Sequence, residues 1–352
     1  MSRVPPTSHA GPVLVSCDVG PSSGVGHLMR CLALAEELQH RGLPVVFAAD
    51  AGSVPWAAAR LEERSLECRP AATTPDEHLG LLRDLDPWLV VLDSYRLPGS
   101  VYDAVRAAGH PLLALVDDGL SGRSADVYLD QNLGAERVDV PVPDGAVRLA
   151  GLDYALMRDD VVAARGATRP PRDPSAAPRV LAFFGGTDPF GAAPVVADLL
   201  GRSGRRFDAT FVCTGEAAAR VGAVDVSEGQ RIAVIAPTPR ISEHVLAADV
   251  VLSAAGSSVW ELMCVGAAVG VVCAADNQEP GYEAVTAADA AVGLGHLEDL
   301  ASGAAEGIGR LLDDERLRER LRTRARSMVD GRGRTRVVDE VLRRFAGPAT
   351  LL

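Results

Sequence analysis

The stretch SSGVGHLMRCLALAEELQHRG, residues 22–42, directly follows the apolar run PVLVSCD at residues 12–18. An apolar run, a glycine-containing loop and an amphipathic stretch predict a strand, a turn and a helix. Gly24 and Gly26 allow a sharp turn and close approach to a ligand. His27 opens the helix and can titrate near neutral pH. This motif alone favours a histidine that caps the helix, and it lacks the third glycine of a dinucleotide fingerprint.

The same alternation recurs and predicts an α/β protein. The runs are apolar throughout, which is typical of parallel strands covered on both faces. A Pro- and Arg-rich segment at residues 165–179 predicts a linker. We expect two doubly wound Rossmann-like domains, residues 13–165 and 178–352, facing a central cleft. It is left open which domain the last helices join. The further predicted strands lie at residues 44–50, 88–94, 111–118, 179–186, 207–213, 231–237, 249–256 and 268–275.

Composition narrows the class of partner. The chain has 352 residues, 47% of them hydrophobic, and a formal charge of -12. The length suits two cores, and the acidic balance disfavours nucleic acid and anionic membrane surfaces. A small anionic ligand remains compatible, because helix termini create local positive fields. The six cysteines lack a C-x-x-C pair, and no signal peptide or spanning segment is recognisable, so we expect a cytoplasmic protein.

The segment AAGSSVWELMCVG, residues 254–266, has two interpretations. Ser257 or Ser258 can cap the following helix, and Glu261 can close a capping box. Alternatively, Gly256 and the free amides of the helix start hold a phosphate, while Glu261 accepts hydrogen bonds from a ribose. Both can hold in part.

Two further loops carry glycine or polar residues after a predicted strand. Asn277 and Gln278 follow the run at 268–275, and either cap the next helix or face a ligand. Gly185 and Gly186 end the run at 179–186 and permit close backbone approach, with Asp188 as the expected helix N-cap. Each signal is weak alone, but together they place ligand-type residues at the carboxyl ends of strands in both halves.

These segments together resemble one known family. SSGVGHLMRCLALAEEL, LVDDGLSGRSADVYLDQNLGA, GLDYALMR, FFGGTDPFGAA, GSSVWELMCVG and ADNQEPGYEA are collinear with the UDP-sugar hydrolase of pseudaminic acid biosynthesis and its spore-coat polysaccharide relatives, the PseG/SpsG group. The resemblance covers about residues 13 to 295 and implies the GT-B fold. It implies that His27 activates the nucleophile and that Glu261 binds the ribose of UDP. It assigns the nucleotide to Gly256, Ser257, Ser258, Asn277 and Gln278, and makes Tyr95 a pocket residue. With the glycines at the strand ends included, we expect Gly185 and Gly186 at the nucleotide, and Gly24, Gly26, Tyr95 and Asp118 at the sugar or acceptor.

The resemblance is less close on the acceptor side. Ser94 stands where the family often has His, and Val101, Tyr102 and Asp103 stand where a Trp-Glu pair usually follows. This departure favours an acceptor other than water. The resemblance assigns no individual role to another group of matching residues, namely Asp18, Arg30, Asp117, Gln131, Asn132 and Arg158.

The expected chemistry is base-assisted displacement at sugar C1 with release of UDP, which inverts the anomeric centre. We expect a UDP-sugar donor, no cofactor and no metal, because the only D-x-D, at Asp84 and Asp86, precedes Pro87 and predicts a turn. Transfer to a small soluble acceptor, such as a nucleobase or natural-product core, is slightly preferred over hydrolysis. An inactive nucleotide-sugar binding module and a 2-epimerase are further alternatives, and the protein is expected to be a monomer or homodimer.

Overall fold

The protein is described by a computed structural model over residues 11–20, 24–117, 119–120, 122–173, 175–186 and 188–345. The chain forms two compact units. The first runs to Arg158 and resumes at Arg332, and the second is Asp159–Gly331. Each unit is built on one parallel sheet, of seven and six strands respectively, so the predicted α/β class with two doubly wound domains is confirmed.

The first unit has the strand order β3-β2-β1-β4-β5-β6-β7, all parallel. The order reverses between β1 and β4, and ligands of doubly wound sheets bind at the carboxyl ends of such a pair. β1 and β4 are buried along their whole length, as their largely apolar sequences VLVSC and LVVLD predict. The strands are β1 Val13–Cys17, β2 Val45–Ala48, β3 Glu67–Arg69, β4 Leu89–Asp93, β5 Leu112–Leu115, β6 Val127–Asp130 and β7 Val147–Ala150; the helices are α1 Gly26–His40, α2 Pro55–Glu63, α3 Pro75–Leu85 and α4 Gly99–Ala107.

The second unit has the order β10-β9-β8-β11-β12-β13, also parallel, with its reversal between β8 and β11. Its apolar core fills the space between the sheet and helices such as α6 and α11. The strands are β8 Arg179–Phe183, β9 Phe207–Val212, β10 Gln230–Ile235, β11 Val250–Ala254, β12 Val269–Cys273 and β13 Val292–His296; the helices are α5 Asp159–Gly166, α6 Ala192–Gly201, α7 Gly215–Gly222, α8 Ile241–Ala247, α9 Ser258–Val265, α10 Glu279–Ala287, α11 Leu300–Asp313 and α12 Glu315–Met328.

The last helix, α13 (Gly333–Phe345), packs in the first unit. Val337 and Val341 are buried in the same apolar cluster as α1. Ion pairs surround this contact: Arg334 Nη1 lies 3.2 Å from Glu36 Oε2, and Arg41 Nη2 donates to Asp339 over 2.7 Å. The expected boundary at residues 178–352 therefore differs from the observed one, because α13 carries an apolar stripe that α1 covers.

The segment at 165–179, expected to link the domains, lies against the second unit. Arg165 donates to the carbonyl of Cys264 over 2.9 Å, and Arg169 donates to that of Gly266 over 3.2 Å. Arg172 lies 3.0 Å from Asp249. Carbonyl and carboxylate groups of the second unit thus bind the arginines of the predicted linker. The second unit begins earlier than predicted, at Asp159.

The sequence analysis did not predict four of the described strands, namely β3, β6, β7 and β13. β3 is exposed throughout, and β7 and β13 are only partly buried, so these three lack the unbroken apolar run of a central strand. β6 is buried, but its run VYLD is only four residues long and ends in an aspartate. The predicted turn at the D-x-D is present, since α3 ends at Leu85 and Asp86 has a left-handed φ of 42°. In the described part of the chain, none of the helices has the length and apolar character to span a bilayer.

Candidate functional site

His27 lies in the first turn of α1, at the carboxyl edge of the first sheet. The turn before it uses a left-handed Gly24, with φ of 72°, and Gly20 donates to the Gly24 carbonyl over 3.2 Å. The His27 side chain is buried and its Nδ1 lies 2.7 Å from Oδ1 of Asp93. The N-cap position is Val25. The ring thus points to the end of β4, and the helix-capping interpretation of His27 does not describe it.

Asp93 is the residue that the sequence analysis missed. It ends β4, has no exposed surface, and also accepts from Arg30 Nε over 2.7 Å and from Arg30 Nη2 over 2.6 Å. Burial would raise the pKa of Asp93, but the charge of Arg30 and the contacts of His27 and Arg30 lower it to about 2. The sequence offered a signal for this residue: an aspartate at the end of an apolar strand is seldom buried without a charged or hydrogen-bonding partner.

The hydrogen-bond geometry assigns the tautomer of His27. The anionic Asp93 can only accept, so the short contact places the proton of a neutral imidazole on Nδ1. Arg30 Nη2 also lies 3.2 Å from Nδ1, but two donors cannot bond to each other, and this approach is not a hydrogen bond. Nε2 is therefore the basic nitrogen of the ring.

Arg30 joins Asp93 to a second carboxylate. Its Nη1 and Nη2 donate to the two oxygens of Asp117 over 2.8 and 3.0 Å. Asn132 Nδ2 donates to Asp117 over 3.0 Å, and the Tyr95 hydroxyl donates over 2.5 Å. Although burial opposes ionisation, Arg30 holds the pKa of Asp117 well below its usual range. Arg30, Asp117 and Asn132, for which the resemblance assigned no role, thus form one charged cluster with His27 and Asp93.

Tyr95 covers the His27 ring. The two rings meet edge to face, with centroids 4.6 Å apart and planes at 84°. The Tyr95 side chain is 51% exposed, so it has both a surface toward solvent and a fixed hydroxyl on Asp117. Burial and the charge of Asp117 raise the pKa of its phenol well above the usual range. Tyr95 therefore remains a protonated donor.

Two of the departures from the family pattern lie in the core of the first unit, and Ser94 lines a small cavity at the strand ends. Val101 and Tyr102 are completely buried in the core of the first unit. Ser94 is also buried; its hydroxyl donates to Asp18 over 2.8 Å and accepts from the amide of Leu97 over 3.0 Å. The Ser94 hydroxyl thereby fixes the turn that leads into α4. Because Val101 and Tyr102 are buried, the departure at these two positions makes no direct contact with an acceptor.

A cavity of about 50 Å³ adjoins Asp18 at the carboxyl ends of β1 and β2. Asp50, Thr73 and Arg96 are among its lining residues. Sites for drug-sized ligands measure upwards of about 300 Å³, so this cavity suits a few water molecules rather than an acceptor ring. Asp118, assigned to the sugar or acceptor, lies outside the described residues. The remaining matched residues are structural or buried: Gln131 accepts from the amide of Leu156 over 2.9 Å, and Arg158 is buried.

In the second unit, Gly256, Ser257 and Ser258 connect β11 to α9. Ser257 is the N-cap with φ of -57°, and within the described residues no side chain caps this helix, so the predicted capping box is not formed. The amides of Val259 and Trp260 turn back to the carbonyls of Gly256 and Ser257, over 3.0 and 3.2 Å. Glu261 is half-buried in the first turn of α9.

Asn277 and Gln278 lie in the loop after β12, next to the β11–α9 loop. Gln278 Oε1 accepts from the amide of Ala274 over 3.0 Å. Its Nε2 is beside Gly256, where an added Cβ would lie 3.9 Å from it. Asn277 is exposed. The structure thus brings these two predicted loops together, because β11 and β12 are neighbours in the sheet.

Gly185 and Gly186 follow β8, the other strand of the reversal point. Gly185 has φ of 78°, and apart from its chain neighbours no described residue comes within 4 Å of the position that a Cβ would occupy there. Asp188 lies before the helix rather than at its N-cap, which is Gly191, but its carboxylate accepts from the amides of Ala192 and Ala193 over 2.9 and 3.0 Å. The helix thus begins three residues later than predicted, but Asp188 still accepts hydrogen bonds from amides of its first turn.

Comparison with known proteins identifies the fold. No protein family model and no curated protein sequence matches the chain. MurG of Acinetobacter baumannii is similar in structure, with 15% identity, a TM-score of 0.69 and coverage of 94% of this chain and 99% of MurG. The spinosyn rhamnosyltransferase SpnG, solved with thymidine diphosphate, is 16% identical with a TM-score of 0.63, over 93% of this chain and 100% of SpnG. The calicheamicin glycosyltransferase CalG4 is 17% identical with a TM-score of 0.63, over 96% and 99%.

These likenesses show the fold. The chain has the GT-B fold, as the sequence resemblance implied. The narrower assignment to the PseG/SpsG group stays a prediction.

Proposed function

We propose that the protein is an inverting glycosyltransferase that displaces UDP from C1 of a UDP-sugar, with His27 as general base. The observation that carries the proposal is the pairing of His27 with the buried Asp93, at the carboxyl edge of a sheet in a GT-B fold. Solved proteins of similar structure include a rhamnosyltransferase and the calicheamicin glycosyltransferase.

The proton transfer follows from the tautomer. Nδ1–H donates to Asp93, so the Nε2 lone pair accepts the proton of the attacking hydroxyl or ring nitrogen. The new bond forms at C1 while the bond from C1 to the UDP oxygen breaks. General-base assistance of this kind contributes about 10²- to 10⁴-fold.

The charge of the cluster favours this transfer. Arg30 carries +1, while Asp93 and Asp117 each carry -1, so the three groups sum to -1 while His27 is neutral. Protonation of His27 brings the sum to zero. Asp93 and Asp117 thus provide the counter-charge for the imidazolium that forms when the nucleophile loses its proton.

We assign the leaving nucleotide to the second unit. The β11–α9 loop supplies Gly256, Ser257 and Ser258 at a helix N-terminus, where an oxyanion gains stabilisation from amide dipoles. Glu261 would accept hydrogen bonds from the ribose. The adjacent Gln278 and the open Gly185 support this assignment, since the three loops follow β8, β11 and β12, which are neighbours at the reversal point. Neither step calls for a metal cofactor.

One experiment separates the alternatives. A panel of UDP-sugars and dTDP-sugars is incubated with the protein, with and without small acceptors such as nucleobases or natural-product aglycones, and nucleoside diphosphate release is measured. Acceptor-dependent release of UDP supports transfer. Equal release without acceptor would instead support hydrolysis, and no release from any donor in either arm would contradict the proposal. The dTDP arm matters because SpnG was solved with thymidine diphosphate.

A further inference from the structure

Three potential metal ligands lie together at the carboxyl ends of β12 and β13. Cys273 Sγ is 3.3 Å from Glu279 Oε2, and His296 Nε2 is 3.4 Å from the same oxygen. All three ligand atoms lie within 4.8 Å of one another. The sequence analysis predicted no metal site, since it considered only the D-x-D at Asp84 and Asp86. Cys273, Glu279 and His296 are spread over 24 positions with no recognisable ligand spacing.

The sheet register creates this cluster. Cys273 and His296 are paired across β12 and β13, one step after an irregularity at Val271 and Val272. The bulge advances β13 by one residue, so that Gly295 pairs with Val272 and His296 comes into line with Cys273. The Tyr282 hydroxyl accepts from the Gly295 amide over 3.0 Å and holds the bulge in place.

We propose that Cys273, Glu279 and His296 bind a thiophilic divalent cation of the Zn²⁺ class. Tetrahedral Zn²⁺ has metal–ligand distances of about 2.3 Å to sulfur and about 2.0–2.2 Å to nitrogen or oxygen, which place neighbouring ligand atoms about 3.4–3.6 Å apart. The observed separations of 3.3 and 3.4 Å match this spacing with little movement.

The chemistry of the ligands selects the ion. A thiolate and an imidazole favour Zn²⁺ over Mg²⁺ or Ca²⁺, which prefer oxygen ligands. A thiolate and a carboxylate carry two negative charges, which a divalent cation neutralises. Cys273 is buried, whereas the side chains of Glu279 and His296 are 38% and 46% exposed, so the ion can enter from solvent and keep one position for water.

The position of the site suggests a positioning role. Cys273 and Glu279 bracket the loop that carries Asn277 and Gln278, so an ion bound to both would restrain that loop from its two ends. The ion takes no part in the proposed displacement at C1. Its binding can therefore be tested without a sugar donor or an acceptor.

The test uses untagged full-length protein, treated with chelator and titrated with Co²⁺, which gives thiolate-to-metal charge-transfer absorption when Cys binds it. We expect the band to saturate at one equivalent and to disappear when Zn²⁺ is added. Cys273→Ser should abolish the band, and Glu279→Gln and His296→Ala should weaken binding by more than the about 10- to 100-fold that follows the loss of a group hydrogen-bonded to a metal ligand.

Cys68→Ser is the matched control, since Cys68 is the exposed cysteine of the first unit, and it should leave the band unchanged. Because Glu279 and His296 are partly exposed, their variants should fold, which circular dichroism checks. The proposal is overturned by a wild-type protein without the band, or by a band that survives in folded Cys273→Ser, which would show an adventitious ion elsewhere.

Discussion

The imidazole of His27 and the carboxylate of Asp93 form a buried pair in which one hydrogen bond orients the ring and Arg30 keeps the acid ionised. His27 and Asp93 are 66 positions apart and come from different elements, a helix start and a strand end. This pair is the basis of the proposed proton transfer and of the first predictions.

His27→Ala should lower turnover by about 10²- to 10⁴-fold, because Nε2 is the proposed proton acceptor. The affinity for UDP should change little, since the nucleotide is assigned to the other unit. Steady-state kinetics and calorimetric titration with UDP measure the two quantities. Unchanged turnover would remove His27 from the mechanism.

Asp93→Asn should also reduce turnover by about 10²-fold or more, because an amide can present its NH₂ group to Nδ1 and favour the wrong tautomer. The matched control is Asp103→Asn, on the exposed face of α4, which should retain activity. The circular dichroism spectra of both variants should match that of the wild type, which shows that they are folded. Full activity of folded Asp93→Asn would argue against the tautomer assignment.

Lowering the pH should reduce the unfolding free energy of the wild-type protein more than that of Asp93→Asn. The folded pKa of Asp93, about 2, is below its ordinary value of 3.8, so the contribution of its ionised form to stability is present above about pH 4 and is lost as the pH falls through about 2. Urea unfolding should show that the stability difference between wild type and Asp93→Asn shrinks over this interval. A stability difference between wild type and Asp93→Asn that stays constant over this interval would contradict the assignment.

Glu261→Ala should weaken UDP binding by about 10- to 100-fold, as expected for the loss of a hydrogen bond to a charged group. The rate at saturating donor should change less, since the ribose is remote from the reacting carbon. Glu243→Ala, on the exposed side of α8, is the control. Equal UDP affinity in wild type and Glu261→Ala would exclude the ribose role.

Gly333→Ala should destabilise the packing of α13. An added Cβ would lie 2.2 Å from the carbonyl oxygen of Ala155, and backbone at that distance must move. Overpacking of this kind costs about 1–3 kcal/mol of unfolding free energy. Gly303→Ala, within α11 and with open space around it, should be neutral or slightly stabilising. Chemical denaturation measures both, and equal stability of the two variants would contradict the close packing.

Sequence reasoning located His27, the β11–α9 loop and Gln278, because glycines and polar residues directly after apolar runs mark the carboxyl ends of parallel strands. It did not find Asp93, although that residue closes an apolar run, because nothing local shows that a histidine from α1 reaches it. It also counted Val101 and Tyr102 among the departures on the acceptor side, whereas the helical stripe of α4 buries both in the core.

The sequence by itself determined two parallel α/β units and the turns at their strand ends. Apolar runs and turn-forming residues are local features, so a few consecutive residues are enough to recognise them. Only the tertiary structure decided which distant residues meet. The pairing of His27 with Asp93, the return of α13 to the first unit, and the alignment of Cys273 with His296 depend on strand order, register and one bulge. Those features arise from packing between elements far apart in the chain, which local periodicity does not encode.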